Sequence, residues 1–108
     1  MREFGQHLTI DASFCDGKKL IDQSFVYDIL NNLPKALGMN KMTLPHVVKW
    51  LDSGATVPGI SCFVMIAESH ISIHTFPEKD YVFIDVFSCK SFNVDDAVKL
   101  LVNAFETK

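Results

Sequence analysis

The chain has 108 residues, of which 48% are hydrophobic, and its formal net charge is −3 at pH 7. That length suits one modest domain with a buried core. No apolar run reaches the ~18 residues of a membrane-spanning helix, and no basic stripe suggests a nucleic-acid partner or a membrane surface. The N-terminus lacks the apolar stretch of a signal peptide, so we expect a cytoplasmic protein and one domain over residues 1–108.

The cysteines support the same compartment. The chain has three, and Cys15, Cys62 and Cys89 are widely spaced, without a Cys-x-x-Cys pair. An odd number at such spacing is typical of reduced cytosolic thiols rather than of a disulfide framework. We interpret Cys15 and Cys62 as small buried residues.

The sequence pattern predicts strands clustered between two helices. Alternating and β-branched segments indicate strands, and apolar residues at i+4 spacing behind a capping residue indicate helices. In chain order we expect a strand over 6–13, a turn over 15–17, a helix capped by Asp22 and ended near Pro34 and Gly38, strands over 41–51, 60–67, 71–76 and 81–89, and a helix capped by Asn93.

This order predicts an α+β fold, an antiparallel sheet with two helices packed on one face. The other face of such a sheet also needs cover. We therefore expect the protomer to form a dimer or to pack against a partner sheet.

Residues 67–78 read Ala-Glu-Ser-His-Ile-Ser-Ile-His-Thr-Phe-Pro-Glu and are the most informative part of the chain. Polar side chains on a strand that should be packing are costly unless they are satisfied. A metal site is not favoured, because His70 and His74 are four positions apart on a strand, roughly 13 Å at about 3.3 Å per residue. A serine hydrolase is also not favoured, because no Gly-x-Ser-x-Gly elbow surrounds Ser69. Strand alternation places His70 and Ser72 on the face of His74.

The segment from Glu68 to Glu78, followed by Asp-Val-Phe-Ser-Cys at 85–89, closely resembles the prokaryotic S-adenosylmethionine decarboxylases. These are small pyruvoyl enzymes of polyamine synthesis. The resemblance extends to Gly-Gln-His-Leu at 5–8, to the Cys15–Asp16 turn and to Gly-Ile-Ser at 59–61, so it spans most of the chain.

The resemblance implies that the chain cuts itself between Glu68 and Ser69. The new chain would begin with a pyruvoyl group made from Ser69, and decarboxylation would proceed through a Schiff base between that group and the substrate amine. The resemblance also implies that Ser61 and His74 help remove the α-proton during processing. Cys89 would return a proton to the substrate carbon. The expected assembly is a homodimer of self-cleaved protomers.

The predicted substrate-binding residues are Glu78, Trp50, Asp52 and Phe76. Glu78 matches an acid that holds the ribose hydroxyls in the family. The aromatic residue that stacks on adenine is missing from its usual place, where the stretch from Trp50 to Ser61 is longer than in the family. Trp50 is the candidate to replace it. Phe76 stands where bacterial members often have Trp. Trp50 and Phe76 would also both suit simple core packing.

Two further departures leave other functions open. Lys90 follows Cys89 where the family usually has Gly, and the last helix ends early. Asp52 in an altered pocket could meet a guanidinium or ammonium. The alternatives are therefore a pyruvoyl-dependent arginine or ornithine decarboxylase and, in a different class, a non-catalytic relative that regulates an active partner.

Overall fold

The fold is a single antiparallel sheet covered by helices on one face, as the sequence predicted. A computed structural model describes residues 5–50, 58–67 and 69–105 of the chain. The five strands lie in the order β1-β5-β4-β3-β2. The elements are β1 (Gln6–Ala12), α1 (Gly17–Leu20), α2 (Gln23–Ala36), β2 (His46–Trp50), β3 (Gly59–Ile66), β4 (Ser69–Phe76), a 3₁₀ turn (Pro77–Lys79), β5 (Tyr81–Ser88) and α3 (Val94–Phe105).

The core lies between the sheet and the helices. Alternate side chains of the central strands point at the helices, and α2 and α3 each present an apolar stripe to them. Burial of this apolar surface is the main force that holds the two layers together. Fully buried members include Val26, Leu30, Val64, Ile71, Ile73, Val86, Leu101 and Phe105.

The predicted helix ends are confirmed. Asp22 caps α2, since its carboxylate accepts a hydrogen bond from the Phe25 amide at 3.1 Å. Pro34 lies in the last turn of α2, and Gly38 follows with a φ of 73°, a left-handed conformation that glycine adopts without strain. The Asn93 side chain accepts from the Asp96 amide at 3.0 Å at the start of α3.

Two local predictions were wrong. The turn predicted over 15–17 runs into the short helix α1, because the Asp16 carboxylate accepts from the Lys18 amide at 2.9 Å and caps a helical turn. The strand predicted over 41–51 begins only at His46. Pro45, which has no amide hydrogen to donate, directly precedes it.

None of the described helices covers the other face of the sheet, and we call this side the open face. All four histidines, His7, His46, His70 and His74, lie on it at register positions opposite aromatic or hydroxyl residues. Six large apolar side chains there are 37–50% exposed: Val48, Trp50, Phe63, Met65, Phe83 and Phe87.

Candidate active site

A hydrogen-bonded trio crosses three strands at one end of the open face. Ser61 on β3 lies opposite His74 on β4, and a hydrogen bond of 3.0 Å joins Ser61 Oγ to His74 Nδ1. The Trp50 indole N–H, from β2, donates to the same Ser61 Oγ at 3.1 Å. Ser61 and His74, both expected to take part in proton transfer, are thus in direct contact. Trp50, a predicted substrate-binding residue, is hydrogen-bonded to Ser61.

Two more predicted substrate-binding residues lie at this end of the sheet, which we call the His74 end. Phe76 is two positions beyond His74 on the same strand, and its ring packs edge-on against Phe83 at 5.4 Å between centroids. Glu78 follows in the 3₁₀ turn and is exposed. Of the residues named as substrate-binding, Trp50, Phe76 and Glu78 therefore share one end of the molecule.

Thr75 anchors the His74 end from the buried side, a role that the sequence did not indicate. The side chain is 3% exposed, and its Oγ1 donates to the Leu20 carbonyl at 2.7 Å. The same oxygen accepts from the Ile60 amide at 2.9 Å. Gly59 packs directly alongside, because a Cβ there would lie 2.4 Å from the Thr75 carbonyl oxygen. These contacts hold β3 and β4 in the register that pairs Ser61 with His74.

Ser69 and Cys89 lie together at the opposite end, which we call the Ser69 end. Ser69 begins β4 and pairs with Ser88, the last residue of β5, so Cys89 is the next residue along. The buried Ser88 hydroxyl donates to the Lys90 carbonyl at 2.8 Å and accepts from the Lys90 amide at 3.0 Å. This turn holds Cys89 exposed at the rim. Gly5 packs closely against this turn, since a Cβ at position 5 would lie 2.7 Å from Cys89 Cα.

The four predicted catalytic residues thus form two separate pairs in one protomer. Ser69 and His74 are five positions apart on β4, which is about 16 Å at ~3.3 Å per residue. Proton transfer requires contact within hydrogen-bond reach or through one water. A single protomer therefore does not bring His74 to Ser69.

An acidic side chain interrupts the aromatic surface in the middle of the open face. His7 Nε2 is hydrogen-bonded to an oxygen of Asp85, and His70 Nε2 lies 3.9 Å from the other oxygen. The Phe87 ring lies beside both imidazoles. The sequence signal for this cluster was a single carboxylate inside the otherwise apolar strand β5. His70 thus lies within ion-pair distance of Asp85.

The cysteines differ sharply in environment. Cys62 is buried on the helix-facing side of β3, and its thiol donates to the Ile73 carbonyl at 3.3 Å. Burial raises the pKa of the Cys62 thiol to about 12, although the hydrogen bond to Ile73 opposes the shift. Cys15 is also buried, and its thiol lies 3.6 Å from the Ala12 carbonyl oxygen. Of the three cysteines, only Cys89 is exposed.

Two predicted site residues, Glu68 and Asp52, lie outside the described residues. Over the described ranges, no cluster of three or more His, Cys, Asp or Glu side chains is arranged to hold a metal ion. No helix in the described part of the chain is long and apolar enough to cross a membrane.

The described residues thus place a strand-initial serine near an exposed cysteine, and a hydrogen-bonded Ser–His pair, on one antiparallel sheet of an α+β fold. Comparison with protein families gives a match to S-adenosylmethionine decarboxylase over residues 6–108. The chain therefore belongs to the S-adenosylmethionine decarboxylase family.

Individual relatives agree with this assignment. The S-adenosylmethionine decarboxylase proenzyme of Prochlorococcus marinus (strain MIT 9211) is 31% identical over 96% of this chain and 81% of its own length. The proenzyme of Acidithiobacillus ferrooxidans (strain ATCC 53993 / BNL-5-31) is 33% identical over 97% of this chain and 75% of its own. The solved adenosylmethionine decarboxylase of Aquifex aeolicus VF5 has the same fold, with a TM-score of 0.83 and 23% identity over all of this chain and 85% of its own.

Proposed function

We propose that the protein is a self-processing, pyruvoyl-dependent decarboxylase that acts on S-adenosylmethionine. Membership of the family is the observation that carries the proposal, since the relatives are named S-adenosylmethionine decarboxylase proenzymes. The residues expected for this chemistry are present, and two of them, Ser61 and His74, are hydrogen-bonded to each other. We also propose a cytoplasmic location, where the thiols of Cys62 and Cys89 would stay reduced.

Self-processing would begin at the Glu68–Ser69 bond. Ser69 Oγ attacks the Glu68 carbonyl carbon, and the amide becomes an ester with a free amine at position 69. His74 removes the α-proton of residue 69, and the Glu68 carboxylate leaves, so that the Cα–Cβ bond becomes double. Tautomerisation and addition of water release ammonia and leave a ketone at the new N-terminus. Ser61 supports the proton-transfer step through its bond to His74 Nδ1.

The surroundings of Ser69 fit a pyruvoyl group. The residue stands at the first position of β4 and is paired with Ser88, whose neighbour in the chain is the exposed Cys89. A pyruvoyl group supplies a carbonyl that condenses with the substrate amine and takes up the electrons released when carbon dioxide leaves. In our proposal Cys89 Sγ delivers a proton to the substrate carbon afterwards. The thiol is well placed for this because it reaches solvent at the rim of the sheet.

We further propose that the active enzyme is a homodimer in which each site combines residues of both protomers. The separation of Ser69 from His74 in one chain supports this, because the end that carries Ser69 and Cys89 then has no His74 of its own chain within reach. The uncovered apolar open face supports it as well, because exposed patches of this kind mark interaction surfaces. A twofold axis parallel to the open face and perpendicular to β4 would bring the His74 end of one protomer to the Ser69 end of its partner. Residue 69 is the first of β4 and lies there at the rim of the sheet.

Substrate selection would reside at the His74 end. Glu78 is exposed there, and a carboxylate accepts hydrogen bonds from a vicinal diol such as that of ribose. The rings of Trp50 and Phe76 flank His74 on the open face and suit contact with an adenine base. This grouping favours S-adenosylmethionine over arginine or ornithine, neither of which carries a ribose or a base.

Intact mass measurement combined with a decarboxylation assay tests the proposal. The purified protein is expected to separate into two chains, the second starting with a ketone at position 69. It should then release carbon dioxide from S-adenosylmethionine and not from arginine or ornithine. Ser69→Ala should abolish both events, whereas Ser72→Ala, a matched change on the same strand, should cleave normally. A chain that stays intact and inactive contradicts the proposal, and release from arginine or ornithine alone reassigns the substrate.

A further inference from the structure

The Trp50 side chain is hydrogen-bonded to the Ser61–His74 pair and does not only face outwards. Its indole N–H donates to Ser61 Oγ at 3.1 Å, and Ser61 Oγ is joined to His74 Nδ1 at 3.0 Å. We propose that Trp50 is a positioning residue of the self-cleavage step, which fixes Ser61 and through it the imidazole of His74. The inference rests on the proposed function, because it concerns the same cleavage.

The hydrogen-bonding capacities explain what the indole contributes. An indole N–H only donates, and a hydroxyl accepts two hydrogen bonds and donates one. Trp50 therefore occupies one acceptor position of Ser61 Oγ. When His74 Nδ1–H donates to the second position, the Ser61 hydrogen is directed outwards. In the neutral imidazole, Nε2 then carries no hydrogen and is the nitrogen that can take the α-proton.

The local geometry makes Trp50 the residue of β2 that can do this. Val48, directly opposite Ser61, has no polar side-chain atom. Trp50 lies opposite Gly59, which has no side chain to separate the indole from its diagonal neighbour Ser61. A serine hydroxyl on an open sheet face otherwise turns among three staggered rotamers. Hydrogen bonds from the two flanking strands, β2 and β4, hold the Ser61 hydroxyl in one rotamer.

The ring and the N–H of Trp50 are separable by substitution. Trp50→Phe keeps an aromatic ring for contact with the substrate and removes only the donor. Loss of one ordinary hydrogen bond predicts self-cleavage slowed about 2- to 10-fold. Tyr27→Phe, which removes a donor from an aromatic residue of α2, is the matched control and should cleave at the normal rate.

The hydrogen bond itself can be observed without any cleavage. Trp50 is the only tryptophan, so the ¹H–¹⁵N spectrum has a single indole resonance. Ser61→Ala should shift that resonance and speed its hydrogen exchange. An unchanged resonance in Ser61→Ala, or normal cleavage in Trp50→Phe, overturns the inference. If the wild-type protein never cleaves, the proposed function fails on its own, and the indole resonance still decides whether Trp50 is coupled to Ser61.

Discussion

Ser69 and His74 lie on the same strand, but their side chains point to opposite faces of the sheet. They are an odd number of positions apart on β4, so strand alternation places Ser69 on the side of the buried Ile71 and His74 on the open face. The two residues also lie about 16 Å apart along the strand. Within one chain, the residue to be modified and the histidine expected to modify it are kept from each other by the fold.

Complementation between two inactive variants tests the shared site. Ser69→Ala chains and His74→Ala chains should each stay intact when they are folded alone. When the two are refolded together, a mixed dimer has one site with both residues, and the cleaved fragments should all derive from the His74→Ala chain. Mass spectrometry identifies the fragment by its substitution. Mixing with a chain that carries both substitutions is the control, and rescue there, or no rescue in the first mixture, contradicts sharing.

Cys89→Ala is expected to separate processing from turnover. The variant should cleave, because cleavage uses Ser69, Ser61 and His74. Its turnover with S-adenosylmethionine should fall by about 10²- to 10⁴-fold, the usual contribution of a general acid or base. The comparison is Cys62→Ala, which removes a buried thiol on the other side of the sheet and should lower stability without a similar loss of kcat. Near-normal turnover of Cys89→Ala removes this thiol from the mechanism.

Burial of Cys62 predicts a loss of stability in alkaline solution. The folded pKa of about 12 lies above the ordinary value of 9.0, so the folded protein holds the thiol neutral while the unfolded chain ionises it. This contribution to the free energy of unfolding is complete below pH 9 and declines as the pH rises from 9 towards 12. Denaturant titrations of the wild type and of Cys62→Ala over this range measure it. Parallel pH dependence of the two proteins would argue against the assignment.

Glu78→Gln should affect binding rather than processing. The change removes a negative charge from the exposed 3₁₀ turn without altering its size. Hydrogen bonds to a charged group are worth about 1.5–3 kcal/mol, so a rise of roughly tenfold or more in the KM for S-adenosylmethionine is expected, with normal self-cleavage. Glu78 has no such role if steady-state kinetics give an unchanged KM. Should arginine or ornithine prove to be the substrate, Asp52→Asn becomes the informative variant.

Thr75→Val should destabilise the fold through two unpaired backbone groups. The substitution keeps the shape of the side chain but leaves the Leu20 carbonyl and the Ile60 amide without the Thr75 hydroxyl. Each buried group left unsatisfied costs about 1–3 kcal/mol. Chemical denaturation should therefore show a loss well above that of Ser72→Ala on the open face, where roughly 0.5 kcal/mol or less is expected. Equal stabilities of the two variants would show that Thr75 is not an anchor.

The amino-acid sequence alone determined the architecture and the family. Alternation and capping signals are local, so four of the five strands, the caps at Asp22 and Asn93, and the shared face of His70, Ser72 and His74 were predictable. The long motif from Glu68 to Glu78 was specific enough to indicate the family, which the comparison then confirmed.

Only the tertiary structure decided which site residues meet. Alternation along a strand fixes the face on which each side chain lies, but it does not distinguish registers that differ by two residues. The choice among those registers depends on the turns and on contacts between segments far apart in the chain. The pairing of Ser61 with His74, the diagonal bond from Trp50, and the position of Cys89 beside Ser69 all follow from that register. The separation of the two pairs is likewise a property of strand length and alternation in the folded sheet, since about 16 Å of extended backbone cannot be shortened while β4 stays paired.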